Sequence, residues 1–158
     1  MTAVMERKIR EAARSDAAAA AALSGELGYP VSVAEMEKRL RRVEGDPGHA
    51  VLVACAPDGT VIGWLDVGLV FHLQSGMYGE IGGLVVTESA RGSGVGRELV
   101  AQAEQWAAAR GAMRMLVRSN AIREDAHRFY LRESYKRVKT SAVFEKTLGD
   151  TLADQGNG

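Results

Sequence analysis

A run of alternating glycines between a strand pattern and a helix pattern is the feature that most constrains this chain. An apolar segment, Glu80–Val86, leads through Arg91 into the glycines, and an amphipathic helix pattern begins at Val95. The first N–H groups of a helix lack intrahelical acceptors, and glycines let a ligand approach the backbone, so this turn suits an anion. Arg91 and Arg97 add positive charge beside it. The expected ligand group is a phosphate or a pyrophosphate.

The spacing of these glycines argues against the two commonest nucleotide motifs. Gly92, Gly94 and Gly96 are separated by single residues, whereas a dinucleotide fingerprint requires G-x-G-x-x-G. A P-loop ends in Gly-Lys followed by Ser or Thr, but Gly96 is followed by Arg97 and Glu98. A glycine-rich turn that only packs a helix on a sheet is the alternative at this stage.

Hydrophobic periodicity elsewhere predicts a mixed α/β sheet that is covered by helices. The order of the segments is two helices, three strands, a helix, a strand, a helix and two short strands. The predicted helices follow Asp16 and Ser32, span Val95–Arg110 and include Ile122–Tyr130. The predicted strands are His49–Ala56, Val61–Phe71, Glu80–Val86, Met113–Arg118, Lys136–Lys139 and Ala142–Lys146.

Three local signals refine these elements. Ser32 and Glu35 fit a capping box at the start of the second helix. Pro57–Thr60 is a hairpin signal between the first two of these strands. Gly82 and Gly83 lie inside the third, where glycines often mark a bulge or a close approach by other atoms.

Composition excludes several classes of protein. The 158 residues carry 20 basic and 20 acidic side chains, and this zero formal charge disfavours nucleic acid as the main partner. No apolar run reaches the roughly 18–20 residues of a membrane span, and the start lacks a secretory signal. The single cysteine, Cys55, excludes an intrachain disulfide and favours the cytoplasm, and three scattered histidines predict no metal site. We expect one domain over 1–148 and a disordered tail over 149–158.

The glycine loop also resembles a known family. Val86, Arg91 and the glycines Gly92, Gly94 and Gly96 are similar to the acyl-CoA signature of the GNAT family of N-acetyltransferases. Downstream, the segment from Ala126 to Tyr135 resembles the family's Ala-x-x-Phe-Tyr motif. Upstream, Lys8–Asp16 is similar to its first strand and helix entry. The likeness covers about residues 8–147.

The resemblance implies an α/β (α+β) fold with a mixed, mostly antiparallel sheet of about seven strands and about four helices. In the family this sheet splits between the strands that match Glu80–Val86 and Met113–Arg118. Pantetheine lies in the split and bonds to the first of them, which here assigns the backbone of Leu84, Val85 and Val86 to acetyl-CoA. The pyrophosphate would bind the amides of Gly92, Ser93, Gly94, Val95 and Gly96, with Arg91 and Arg97 at its rim.

Acetyl transfer from a thioester to an amine needs a neutral amine, an oxyanion site and a proton for the departing thiolate. Tyr130 matches the family's general acid. Glu80 is the preferred general base, because relatives carry a carboxylate near that position. Asp66 and His72 are the rival bases.

Two positions depart from the family pattern. Asn120 is expected to bond to the pantetheine or phosphate edge, but it lies nine residues before Phe129, a longer spacing than the family shows. Arg123 could take over part of that contact. Ser134 stands where the family has glycine, and a positive φ there would carry a small strain cost.

The resulting hypothesis is an acetyl-CoA-dependent N-acetyltransferase that acts on a primary amine of a small molecule or peptide by direct transfer. The alternative is a non-catalytic acyl-CoA sensor or regulatory module of the same fold, and a further one is another nucleotide-using α/β protein. Glu26, Asp66 and Glu80 could attract a cationic acceptor such as an aminoglycoside, a polyamine or a peptide amine. The family resemblance is compatible with a homodimer.

Overall fold

The structure of the chain, a computed structural model, describes residues 7–118 and 124–149. These residues fall into two units, residues 7–118 and residues 124–149. In the first unit the described strands form one sheet with the order β1-β2-β3-β4-β5. The strands are β1 (Lys8–Glu11), β2 (His49–Cys55), β3 (Val61–His72), β4 (Gly76–Val86) and β5 (Met115–Val117). The helices of this unit are α1 (Ala17–Leu27), α2 (Val33–Glu44) and α3 (Val95–Ala109).

The sheet is mixed and mostly antiparallel, which confirms the predicted fold class. Neighbouring strands from β1 to β4 run antiparallel, and β5 is parallel to β4. The predicted hairpin joins β2 to β3, and its turn is closed by bonds from Ala56 N to Thr60 O and from Gly59 N to Ala56 O, both 2.8 Å. Gly59 has a φ of +92°, which a glycine adopts without strain.

The helix boundaries follow the capping signals in the sequence. Helix α1 ends at Gly28, whose φ of +102° places it in the left-handed region. Helix α2 begins after Ser32, whose Oγ accepts a hydrogen bond of 3.1 Å from the Glu35 N–H. The start of α2 agrees with the capping box predicted from Ser32 and Glu35.

The helices cover the two faces of the sheet. On one face, Trp64 packs against the α1–α2 cluster and its Nε1–H donates to Ala20 O at 3.2 Å. On the other face, a Cβ at Gly63 would lie 3.3 Å from Leu99 and 3.4 Å from Val95, so α3 packs directly on β3 there. Adjacent residues of a strand point to opposite faces, so Gly63 and Trp64 define the two layers. The buried residues of α3 are Val95, Leu99, Val100, Ala103 and Ala107.

A β-bulge interrupts β4 in its middle, as the paired glycines predicted. Asp66 pairs with Gly83 and Val67 pairs with Ile81, so Gly82 has no partner in β3. A Cβ on Gly82 would lie only 3.0 Å from Asp66 Oδ2. A side chain at this position would therefore need the Asp66 carboxylate to move by a few tenths of an ångström.

The second unit contains α4 (Glu124–Arg132), as predicted from its periodicity. The two short strands expected at Lys136–Lys139 and Ala142–Lys146 are wrong, because residues 136–149 form no strand and all of them are exposed. An apolar alternation alone does not make a strand, since its backbone groups need a partner. The described residues thus form five strands, two fewer than expected.

The remaining differences concern boundaries. Strand β4 begins at Gly76, four residues before the predicted start at Glu80. Strand β5 is shorter than the predicted Met113–Arg118. Apart from residue 149, the expected disordered tail lies outside the described residues. Within residues 7–118 and 124–149, no helix has the length and apolar character to cross a bilayer.

Candidate active site

Strand β4 carries an open backbone edge beyond its short contact with β5. The parallel pairs cover only Gly79–Ile81 of β4 and Met115–Val117 of β5. Residues 82–86 continue past this contact, and among the described residues no strand pairs with them on that side. The predicted split between these two strands stays a prediction, and the backbone of residues 84–86 lies beyond the paired part of β4.

The turn after β4 shows why glycines occupy two of its positions. A single 3-10 turn, Glu88–Ala90, follows the strand, and the chain then passes through Gly92 and Gly94 into α3. The φ angles of Gly92 and Gly94 are +80° and +92°, which residues with a Cβ adopt only with strain. Gly94 is also the N-cap of α3.

The start of α3 presents backbone donors at the end of this turn. The first hydrogen bond of the helix runs from the Glu98 N–H to Gly94 O at 3.0 Å. The amides of Val95 and Gly96 precede that bond, so they have no acceptor within the helix. Together with the helix dipole, such amides favour a negatively charged group. The start of α3 therefore has a backbone arrangement that is compatible with an anion, and the anion site itself stays a prediction.

Arg91 is tied to the end of β4. Its Nε–H donates to Val86 O at 3.0 Å, and its side chain is exposed. The guanidinium thus lies at the junction of the open strand edge and the glycine turn. Arg97 is also exposed, in the first turn of α3.

Arg7 contacts the same turn, although no sequence motif pointed to this residue. Its guanidinium donates to both carboxylate oxygens of Glu98, at 2.7 and 3.2 Å, and to Ser93 Oγ at 3.2 Å. The Glu98 carboxylate raises the pKa of Arg7 through these hydrogen bonds. Ser93 Oγ in turn donates to Ala90 O. One arginine thereby connects the turn to the first turn of α3.

Glu26 forms hydrogen bonds with the residues that directly follow β4. Its carboxylate accepts hydrogen bonds of 3.2 Å from Thr87 Oγ1 and from the Glu88 N–H. The sequence suggested Glu26 as an attractant for a cationic acceptor. In the structure its oxygens bond to the segment between β4 and the glycines, and its role towards an acceptor stays a prediction.

The candidate bases lie on β3 and β4. Glu80 is opposite Gly68, two residues from Asp66, so both carboxylates project from one face of the sheet. Arg118 Nε lies 3.3 Å from Glu80 Oε2, and the Glu80 side chain is three-quarters buried, with 25% of its surface exposed. The third candidate, His72, is exposed at the end of β3, with its ring 5.9 Å from that of Tyr78.

Asp66 has a partner that sequence reasoning missed. His49 Nε2 and Asp66 Oδ1 form a short hydrogen bond across β2 and β3. This bond to the carboxylate raises the pKa of His49, and the charge of Asp46 adds to the effect while Arg42 opposes it. His49 and Asp66 are 17 positions apart in the sequence, and only the register of the β2–β3 hairpin brings them together.

Tyr130 belongs to α4 in the second unit. Its ring makes edge-to-face contacts with Phe129 and Tyr135, at centroid distances of 5.1 and 5.8 Å. Asn120 and Arg123, the other residues expected to contact the cofactor, lie outside the described residues.

Comparison with known proteins identifies the class of this fold. The profile of the acetyltransferase (GNAT) family matches residues 16–134. The chain is 30% identical over 144 residues to an aminoglycoside N(6')-acetyltransferase type 1 of Stenotrophomonas maltophilia, covering 89% of this chain and 93% of that protein. It is 44% identical over 80 residues to an aminoalkylphosphonate N-acetyltransferase of Salmonella typhimurium. That match covers 50% of this chain and spans about half, 52%, of the relative's length.

The fold is shared with a solved N-acetyltransferase as well. The structure of AAC(6')-Iy with a bisubstrate analogue, CoA-S-monomethyl-acetylneamine, superposes with a TM-score of 0.79 at 17% identity and covers 90% of this chain and 99% of that one. The relatives are N-acetyltransferases, and the fold is the one that such enzymes use. The chain belongs to the acetyltransferase (GNAT) family. The resemblance inferred from the glycine loop is confirmed.

Proposed function

We propose that this chain uses acetyl-CoA to acetylate a primary amine of a small molecule or peptide by direct transfer in a ternary complex. One observation carries the proposal: the open edge of β4 runs directly into a glycine turn whose amides start α3. An extended, amide-containing arm can bond along a strand edge, and a diphosphate can bind a helix start. Coenzyme A joins these two chemical groups in one molecule.

The proposed cofactor site follows the strand and the turn in order. Pantetheine bonds to the backbone of residues 84–86, where the buried Val85 side chain, 4% exposed, anchors the strand. The pyrophosphate binds the amides of residues 92–96, with Arg91 and Arg97 at the rim. Asn120 remains the proposed partner of the pantetheine or phosphate edge. AAC(6')-Iy, which shares this fold, has been solved in complex with CoA.

The proposed chemistry is attack of the neutral amine on the thioester carbonyl. The carbon–nitrogen bond forms, the carbon–sulfur bond breaks, and the electron pair leaves with the sulfur of CoA. Glu80 takes the proton that the ammonium loses before the attack, and Tyr130 gives a proton to the departing thiolate. The nitrogen loses its second proton as the amide forms, and this proton restores the Tyr130 phenol. A phenol has an ordinary pKa of about 10, which suits a donor to a thiolate.

The acceptor is proposed to be a small molecule with a primary amino group. The aminoglycoside and aminoalkylphosphonate substrates in the names of the two relatives differ in charge but share that group. A primary amine is therefore the common chemical requirement.

Ligand-dependent stability tests this proposal. Acetyl-CoA should raise the melting temperature, since a ligand at 100 times its Kd adds about 2.7 kcal/mol to the unfolding free energy. NAD and ATP serve as controls that carry a pyrophosphate or triphosphate without pantetheine, and neither should match acetyl-CoA. CoA release should then be measured with a panel of primary amines. The proposal fails if no CoA ester shifts the melting temperature, or if CoA esters bind but no amine in the panel releases CoA.

A further inference from the structure

The carboxylate of Asp66 lies directly over the bulge of β4. Its Oδ2 is 3.0 Å from the position that a Cβ on Gly82 would occupy. Gly82 is the residue that the β3–β4 register leaves unpaired, and it is the first residue beyond the β4–β5 contact. Asp66 therefore stands where the open edge of β4 begins.

The two oxygens of this carboxylate have different surroundings. Oδ1 is held by His49 Nε2. Within residues 7–118 and 124–149, no hydrogen-bond donor contacts Oδ2. About a third of each side chain is exposed, 35% for His49 and 36% for Asp66, so solvent and solutes reach the pair. His49 therefore orients Oδ1, while Oδ2 can accept a hydrogen bond from a solute.

The second carboxylate on this face is engaged differently. Glu80 is matched by the guanidinium of Arg118, a permanently charged partner. Asp66 is matched by an imidazole, whose charge and hydrogen bonding respond to the neighbouring carboxylate. A cation that binds to Asp66 Oδ2 would therefore change the charge or the hydrogen bonding of the His49 ring.

We propose that Asp66 Oδ2 accepts a hydrogen bond from the acceptor's amino group and that His49 is a positioning residue that orients this carboxylate. The inference rests on the proposed function, which places the acetyl group along the β4 edge beside the bulge. The Asp66 carboxylate binds the amine in this proposal, whereas Glu80 remains the general base. The chemistry recognised is a primary ammonium or amine, whatever the rest of the acceptor.

Two amines that share only this group serve as probes, neamine and 2-aminoethylphosphonate. Imidazole NMR signals of His49 should shift when either amine is added, and those of His72 should not, because His72 lies at the far end of β3. The signals of the three histidines can be assigned with His49→Gln and His72→Gln. The inference is overturned if neither amine shifts the His49 signals.

Kinetics with the amine that is acetylated test the roles of both residues. Asp66→Asn should raise KM for the amine about tenfold, the loss expected for one charge-assisted hydrogen bond, with the acetyl-CoA melting shift unchanged. His49→Ala should raise KM as well. His49→Gln should have a KM close to that of the wild type, because its amide can still donate to Oδ1. A wild-type KM in Asp66→Asn, or equal KM values for the two His49 variants, would overturn the inference. Failure of the wild-type protein to bind acetyl-CoA would instead count against the proposed function.

Discussion

Arg7 and Glu98 form a two-pronged ion pair across 91 positions of sequence, with the shorter N···O distance at 2.7 Å. The same guanidinium reaches Ser93 in the glycine turn. Arg7 immediately precedes β1, and Glu98 lies in the first turn of α3. The pair therefore links the first strand to the turn that we propose holds the pyrophosphate.

Replacing Arg7 should weaken CoA binding more than it weakens the fold. In Arg7→Ala the turn loses its link to Glu98, so CoA must order it, and we expect the Kd for CoA to rise about fivefold to tenfold. The melting temperature should change little, since exposed ion pairs contribute little to stability. Isothermal titration calorimetry measures the Kd.

Arg14→Ala is the matched control for this experiment. Arg14 pairs with Glu44 at 3.0 Å in another exposed ion pair, on α2 instead of α3. Its loss should leave the CoA affinity unchanged. Equal affinities in the two variants would contradict a role for Arg7 in the turn.

Local signals in the sequence were sufficient for much of the fold and for the glycine turn. Ser32 caps α2, Gly82 marks a bulge, and Gly92 and Gly94 adopt positive φ angles. Each of these depends on the conformational preference of one residue type and its near neighbours. Such preferences are visible without knowing the rest of the structure.

Contacts between distant segments were not predictable in the same way. The His49–Asp66 bond depends on the register of a hairpin, and the Arg7–Glu98 pair joins segments with no shared motif. The apolar alternation at Ala142–Lys146 predicted a strand, but whether it becomes one depends on a pairing partner that the pattern does not encode. Long-range geometry had to come from the structure.

Removing the hydroxyl of Tyr130 should slow turnover without loss of cofactor. Tyr130→Phe keeps the ring that packs against Phe129, while the proposed proton donor to the thiolate is gone. We expect kcat to fall by about 10²–10⁴-fold, the usual contribution of a general acid, with acetyl-CoA affinity nearly intact. Steady-state kinetics and calorimetry separate the two effects. Tyr135→Phe is the matched substitution nearby, and undiminished kcat in Tyr130→Phe would remove Tyr130 from the acid role.

Neutralising Glu80 should also reduce kcat. Glu80→Gln preserves the shape of the side chain but cannot accept the proton from the ammonium, so we expect a fall of about 10²-fold or more. Binding of acetyl-CoA should be unaffected, as judged by the melting shift. Glu44→Gln, on α2, is the control. Full activity in Glu80→Gln would transfer the role of base to another group or to water.

Asp16 should make stability depend on acidic pH. It is 7% exposed, and its oxygens accept hydrogen bonds from Arg10 at 2.8 and 2.9 Å and from the Ala13 N–H at 2.7 Å. The bonds from Arg10 are the main reason that the pKa of Asp16 is lowered in the folded protein. An aspartate in an unfolded chain has a pKa of about 3.9, so this stabilisation is present above about pH 4 and is lost as the pH falls towards the folded pKa.

The Asp16→Asn variant tests this linkage. At pH 7 its free energy of unfolding should be about 2 kcal/mol lower than that of the wild type, because Arg10 loses its charged partner. The difference should narrow as the pH falls below 4, since the wild-type carboxylate is then protonated as well. Urea denaturation at several pH values measures it. A difference in unfolding free energy that stays constant across this pH range would contradict the role of the Asp16 carboxylate. Glu37→Gln, at an exposed position, is the control and should change the unfolding free energy very little.

Ser134 ends α4 in a backbone conformation that favours glycine. Its φ is +71°, and two bonds, from Ser134 N to Leu131 O at 3.2 Å and from Tyr135 N to Tyr130 O at 3.0 Å, form the hydrogen-bond pattern of a Schellman motif. Because a side chain is strained there, Ser134→Gly should raise the unfolding free energy by about 0.5–1 kcal/mol. Denaturant unfolding measures the change.

Gly28 provides the reverse substitution at the same kind of helix end. Its N–H bonds to Gly25 O and the Tyr29 N–H bonds to Ser24 O, at 3.1 and 2.9 Å, and its φ is +102°. Nothing lies within 4 Å of a Cβ at Gly28, so Gly28→Ser adds backbone strain without a steric clash. It should destabilise the protein by about 1 kcal/mol, opposite in sign to Ser134→Gly. Changes of the same sign in the two variants would show that left-handed strain does not decide the residue at these helix ends.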